Sequence, residues 1–177
     1  MGRIARVPTR AALLLLASLL VGAPRLASAA TFLETSVEEA ARTSHAVVRG
    51  VVVGTRSRWA GSRIFTEVTV RVTSAWKGQP GERLVLLVPG GSVGDLAQTV
   101  DAAPTFEQGE EVVVFAARRG QRWRVNGLAL GKYRVRDGMA TPGTGDARIE
   151  RRALAAGERA VGSMAVAELE RRVKEAR

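Results

Sequence analysis

Gly90-Gly91-Ser92-Val93-Gly94 fits G-x-S-x-G directly after an apolar stretch, the pattern of the turn that exposes a nucleophilic serine in α/β-hydrolases. That chemistry needs a histidine base later in the chain to take the Ser92 proton, and the single histidine, His45, lies upstream. The run also lacks the closing Gly-Lys-Ser/Thr of a phosphate loop, so a flexible glycine loop is the plainer reading. His45, with no cysteine and no second imidazole, has no metal-binding constellation around it and is expected at the C-terminal end of a helix. Glu110-Glu111 is a carboxylate pair, but neighbours on a strand point to opposite faces and cannot share one substrate. No metal, no cofactor and no catalysis are therefore expected. A small hydrolase using Ser92 stands as the alternative.

Arginine is the chemistry that remains. Arg122 and Arg124 alternate with Trp123 and Val125, and Arg134 and Arg136 alternate with Tyr133 and Val135. If these two strands are neighbours, four guanidinium groups share one surface close to Arg118 and Arg119. A guanidinium fork matches carboxylate or phosphate, so such a face would bind a polyanion or an acidic partner. A half-wet sheet needs polar residues on one face in any case, and the same pattern is also what a solvated face gives. Trp59, Gly90 and Gly91 complete the candidate set. Trp59 is either an exposed anchor or a cap on the end of the sheet. The glycine pair opens residues 89–105, an irregular stretch long enough to be a binding loop or disordered.

These residues need a scaffold of strands. Val68, Val70 and Val72 alternate with Glu67, Thr69, Arg71 and Thr73 inside residues 64–78, the long strand around which the others are arranged. Residues 46–55 are dense in valine and read as a mostly buried strand, with Gly50 marking a bulge or bend. Residues 56–63 are expected to connect these two strands. Lys77-Gly78 and Pro80-Gly81 end the long strand with turn chemistry. Residues 83–88, nearly all apolar, read as a strand covered on both faces. Residues 111–117 and 122–125 form a hairpin, and 132–136 and 139–141 form another through an Asp137-Gly138 type I′ turn. Ser36-Val37-Glu38-Glu39 is a capping box opening a short helix to about residue 44. Ser163 can cap a final helix over 164–176, docked or loose, whose Val166, Leu169 and Val173 share a face. Short strands, frequent turns and no βαβ rhythm give a mainly β protein, a small antiparallel barrel or sandwich with a short N-terminal and a C-terminal helix.

The N-terminus predicts export. Arg3, Arg6 and Arg10 precede an apolar run over residues 11–23, and Ala27-Ser28-Ala29 supplies the small residues of a cleavage site, so residues 1–29 read as a signal peptide cut after Ala29. The rival is an uncleaved anchor, but the run is shorter than the roughly 20 residues that span a bilayer and Pro24 follows it. Residues 30–141 would then be the β-domain, with 142–177 as linker and helical tail. The formal charge of +10 falls by the four arginines of the leader. The remaining basic residues are nearly all arginine, as a GC-rich genome also gives. Without cysteine, burial alone must hold the fold in an oxidising compartment.

The order of landmarks resembles the netrin-like barrel of the tissue inhibitors of metalloproteinases. A strand like that at residues 45–54 precedes an alternating strand ending in Trp76-Lys77-Gly78, and Gly109 then leads into a hydrophobic strand and hairpin ending at Val125. The chain also resembles a recurrent type of exported bacterial domain, through Trp76-Lys77-Gly78, Pro89-Gly90-Gly91 and Phe106-x-x-Gly109-Glu110. The resemblance covers residues 36–125 and implies an OB-like antiparallel Greek-key barrel. The inhibitors chelate a protease zinc through an N-terminal cysteine, whereas here the expected N-terminus is Ala30 and cysteine is absent. The expectation is therefore a periplasmic or secreted, non-enzymatic binding module, inhibitor-like in the sense of the resemblance. Its partner is an unknown protein or acidic ligand, with nucleic acid not expected outside the cell. An envelope-associated structural protein, attached through the basic C-terminal helix, is the second alternative.

Overall fold

The computed structural model describes residues 31–33, 35–144, 148–150, 153–156 and 158–176. The expected signal peptide lies outside the described residues. In chain order the elements are β1 (Thr31–Leu33), α1 (Val37–Thr43), β2 (Ala46–Ala60), β3 (Arg63–Lys77), β4 (Arg83–Pro89), β5 (Gly91–Val93), β6 (Leu96–Gln98), β7 (Glu111–Arg119) and β8 (Arg122–Val125). A 3-10 turn (Leu128–Gly131), β9 (Lys132–Arg136), β10 (Met139–Pro142), β11 (Arg148–Glu150), β12 (Met164–Ala165) and α2 (Val166–Glu175) complete the order.

Five strands close a ring. β7 pairs with β2, β2 with β3 and β3 with β4, all antiparallel; β4 meets β8 in parallel at Leu86 and Trp123; and β8 pairs back onto β7. Val48, Val52, Val68, Val70, Leu84, Leu86, Val112, Val114 and Ala116 fill the inside. A second core lies outside the ring, where Val47, Trp76, Val113, Phe115 and Tyr133 meet Val37 and Ala41 of α1 and Leu169 and Val173 of α2. β2 and β7 are thus buried on both faces where they pass between the cores, which is why their valine runs do not alternate with polar residues. Gly50 lies where the β2–β3 register shifts, and a Cβ there would stand 2.4 Å from the Arg71 carbonyl oxygen. The final helix is docked, since its Val166, Leu169 and Val173 belong to the second core and the Arg172 guanidinium grips Glu38 of α1 at 2.7 and 2.9 Å.

Several expectations change. Residues 56–63 are the outer ends of two long strands joined at Gly61-Ser62, with Arg56 opposite Glu67 and Trp59 opposite Ile64. Residues 89–105 contain a small hairpin, β5–β6, whose Gln98 side chain accepts from the Ile64 amide at 2.8 Å. β4 is covered along one face and only in part on the other, where Leu87 is buried but Val85 is 47% exposed. Ser163 does not cap α2, whose N-cap is Ala165. The Ser36 half of the capping box is present: Ser36 precedes α1 and its hydroxyl accepts from the Glu39 amide at 3.0 Å, while the Glu39 carboxylate accepts from the Thr35 hydroxyl at 3.2 Å. The type I′ turn is present, with φ of +49° at Asp137 and +74° at Gly138.

The C-terminal end of α1 is held by a residue from β3. The Lys77 ammonium donates to the carbonyls of Ala41 at 2.7 Å and Arg42 at 3.1 Å, orphan acceptors at the negative end of the helix. Lys77→Met keeps the stem and removes those bonds, so it lowers unfolding stability by about 1 kcal/mol. Chemical denaturation of the two proteins checks this, and an unchanged midpoint would rule out Lys77 as a cap.

Candidate functional arginine face

Register and alternation place the candidate site. Phe65, Glu67, Thr69 and Arg71 of β3 stand opposite Pro89, Leu87, Val85 and Arg83 of β4. Their neighbours Val68, Val70, Leu84 and Leu86 point inward, so this set shares the outer face. On β8, Trp123 and Val125 face the inner core, so Arg122 and Arg124 face outward beside Val85 and Leu87. Arg56 and Arg58 extend the same face from β2, opposite Glu67 and Phe65. Opposed side chains across a ladder lie about 5 Å apart, so Arg71 and Arg83 put two positive charges side by side.

Only one arginine of this face is neutralised by a described carboxylate. The Arg58 fork holds Glu67, Nε at 3.0 Å and Nη2 at 2.6 Å. Arg124 lies with its guanidinium carbon 5.7 Å from the Phe65 ring centre. Arg122 edges a shallow cleft of 240 Å³ with Gln121, Val85 and Trp123. Among the described residues, Arg56, Arg71, Arg83, Arg122 and Arg124 have no carboxylate within ion-pair distance. Elsewhere among the described residues Arg42 pairs with Glu158, Arg49 with Glu111, Arg134 with Glu110, Arg171 with Glu168 and Glu175, and Arg172 with Glu38. Arg63, Arg118, Arg136 and Arg159 stand singly rather than as a set on one sheet face, and Arg119 adjoins the arginine face opposite Arg122.

The expected grouping of four arginines is corrected. β8 and β9 do not pair; both lie along the same edge of β7, β9 against Val112–Val114 and β8 against residues 116–119. Arg134 therefore sits apart from Arg122 and Arg124, bound to Glu110 at 2.6 Å and Glu107 at 3.5 Å, and Arg136 is exposed at the Asp137-Gly138 turn. Arg118 pairs with Trp123 and stacks over its ring at 4.7 Å, whereas Arg119 stands opposite Arg122 and shares the outward side of the hairpin with Arg122 and Arg124, as expected. Trp59 is 46% exposed near the tip of the β2–β3 arm. Gly90 and Gly91 line a cavity of 360 Å³ together with Ser92, Thr66 and Phe106. Gly91 has φ of +129°, and a Cβ there would stand 2.3 Å from the Thr66 hydroxyl and 2.4 Å from that of Ser57, so its place is set by close packing. Ser92 is exposed on the small hairpin. His45 follows the helix cap, and its Nδ1 accepts from the Arg118 amide at 3.3 Å.

Sequence reasoning missed Arg56, Arg71 and Arg83. The available signal was the polar phase of the β3 alternation, in which Arg71 falls. What it lacked was the parallel contact of β8 with β4, a pairing distant in sequence.

Glu110 lies just before β7 and Glu111 opens it, and their carboxylates diverge. Glu111 holds Arg49 at 2.7 Å, and Glu110 turns the other way to a buried cluster, where the Lys132 ammonium bonds both its oxygens at 2.8 Å. The Lys132 ammonium also donates to the Thr105 carbonyl and lies 4.7 Å from the Phe106 ring. Burial acts to raise the Glu110 carboxyl, but hydrogen bonds from Lys132, Arg134 and the Glu107 amide outweigh it and hold the group below the usual carboxylate range. The cluster ties the segment before β7 to β9. No family model matches the chain, and neither a curated protein nor a solved structure does.

Proposed function

We propose that this chain is an exported, non-catalytic binding module of OB-like type that takes an acidic partner on the outer face of β3, β4 and β8. The observation that carries the reading is the set of five arginines on one continuous sheet face without a described carboxylate partner. Charges placed this way raise the local concentration of anions and orient them. The ring order supports the OB-like reading: five-stranded Greek-key barrels of that type use the face of their second and third strands and the loops after the first and fourth. In this chain those are β3, β4, the Gly61-Ser62 turn beside Trp59, and the Gly120-Gln121 turn between Arg119 and Arg122. An envelope attachment through the C-terminal helix draws no support from its packing. The apolar side of α2 is buried, and on its charged side Arg171 and Lys174 hold Glu168, Glu175 and Glu170.

The test is binding of the purified chain to immobilised poly-glutamate across a salt series. Changing Arg71, Arg83, Arg122 and Arg124 to serine weakens binding by tenfold or more, since exposed pairs contribute about 0.2–1 kcal/mol each, and it flattens the salt dependence. Changing Arg134 and Arg136 to serine leaves binding nearly unchanged. Equal loss in both variants, or loss in neither, would sink the assignment.

A further inference from the structure

A built cavity lies away from the centre of the arginine face. Its volume is 520 Å³, within the range of small-molecule sites, and it is bounded by α1, the β7–β8 hairpin and the turn after β8. We propose that this cavity binds a small organic anion, a carboxylate carried on an apolar body. The cavity adjoins the outer face at Arg119 and Arg124, but the proposal does not rest on the reading of that face.

The turn forming one wall is held rigidly in a costly conformation. Gly127 and Leu128 are both left-handed, with φ of +78° and +54°, a region that a bulky residue with a Cβ seldom enters. The strain keeps Leu128 at the cavity, 40% exposed. Surrounding bonds fix the turn in place: the Asn126 amide group donates to the Thr43 and Ser44 hydroxyls beside α1 at 2.9 and 3.0 Å, the Asn126 backbone N–H donates to the Phe115 carbonyl at 2.8 Å, and that of Ala129 donates to the Ala102 carbonyl at 3.0 Å. At Gly131 a Cβ would fall 1.8 Å from the Asn126 carbonyl oxygen, so the chain can pass only with glycine there. A strained residue kept at a cavity by an over-determined frame is the form a preorganised site takes.

The lining sets the ligand class. Ala40, Ala117, Val125, Leu128 and Leu130 supply an apolar wall. Arg119 is the cation at the cavity, exposed and without a described carboxylate partner. Arg124 contributes its stem, because its guanidinium lies over Phe65. Glu39 is the one acid of the lining, and the Thr35 hydroxyl donates to it at 3.2 Å. Arg119 is thus the one guanidinium presented to the cavity, and the Glu39 carboxylate of the α1 wall already takes the Thr35 hydroxyl. A single guanidinium fork matches a planar carboxylate in bidentate fashion, and the apolar wall suits a hydrocarbon body.

Octanoate, octanamide and octylamine titrated into the full chain, followed by the NMR signals of Leu128, Leu130 and Arg119, test this. Octanoate shifts those signals saturably and binds at least tenfold tighter than octanamide, while octylamine does not bind. Arg119→Met removes the preference for octanoate over octanamide, and Ala40→Leu, which fills the cavity from the α1 wall, weakens octanoate at least tenfold. Serine at Arg71 and Arg83 leaves octanoate affinity unchanged, separating this site from the outer face. Equal affinity for octanoate and octanamide, or an octanoate affinity unmoved by both Arg119→Met and Ala40→Leu, overturns the proposal.

Discussion

Glu110→Gln lowers the unfolding free energy by about 3–5 kcal/mol, the cost of removing one partner from a buried ion pair. The pair is almost fully removed from water, with the Lys132 and Glu110 side chains 3% and 5% exposed. Glutamine keeps the shape and one acceptor oxygen but leaves the Lys132 ammonium uncompensated, and it weakens the hold on Arg134. Natural domains are stable by only about 5–15 kcal/mol, so the variant unfolds at much lower denaturant. The same cluster sets a pH dependence. Because the folded-state carboxyl is held below the ordinary value of 4.5, its contribution is complete above the unfolded-state value and is lost as pH falls through the folded-state one. The unaltered protein therefore loses stability through the acid range below about pH 4.5, and Glu110→Gln shows a flatter acid limb. Replacing both charges, Glu110→Leu with Lys132→Met, recovers a large part of the loss, because an apolar pair of similar volume carries no desolvation cost. Denaturation of these variants at neutral and acid pH decides the matter. A Glu110→Gln loss below about 1 kcal/mol would mean that the cluster is solvated.

Local chemistry was legible in the sequence wherever a residue's role depends on its near neighbours. The helix cap at Ser36, the type I′ turn at Asp137-Gly138, the bulge at Gly50 and the alternation of β3 all come from rules reaching a few residues along the chain. The illegible part depends on which strands meet. The distance between residues 84–88 and 122–125 along the chain hides the parallel contact that closes the ring, and with it the adjacency of Arg71, Arg83, Arg122 and Arg124. The valine runs of β2 and β7 announce burial on both faces without saying that one face is the ring interior and the other the floor of a helical layer. β2 runs on to Ala60, beyond the stretch its valines mark, because Arg56, Ser57 and Arg58 have the composition of a loop. In the structure they are strand residues on a long arm whose polar side chains face solvent or each other, as in the Ser57–Thr66 hydroxyl contact at 2.9 Å. Such edges are polar because a wet edge strand must be, and composition alone does not separate them from a turn.

Trp76 gives the second large effect. It is the largest fully buried side chain and sits at the junction of β3 with α1 and α2, among Val37, Ala41, Val47, Leu169 and Val173. The residues beside it explain the Trp76-Lys77-Gly78 run as one device: Trp76 fills the space under both helices and Lys77 caps α1. Gly78, with φ of +71°, completes it, since a Cβ there would stand only 2.4 Å from the His45 carbonyl oxygen. Trp76→Ala removes a large apolar volume from a site whose walls belong to separate elements, so collapse is incomplete and the loss is about 3–5 kcal/mol. The damage is unequal. The ring interior keeps its own packing, whereas α2 rests on the second core, so amide exchange rises first along residues 166–175 and only later in β3 and β4. Trp76→Phe, which keeps part of the ring, loses roughly half as much. Exchange rising uniformly across both cores would instead show that the helical layer and the ring unfold as one unit, and that Trp76 is a keystone of the whole rather than of the layer it fills.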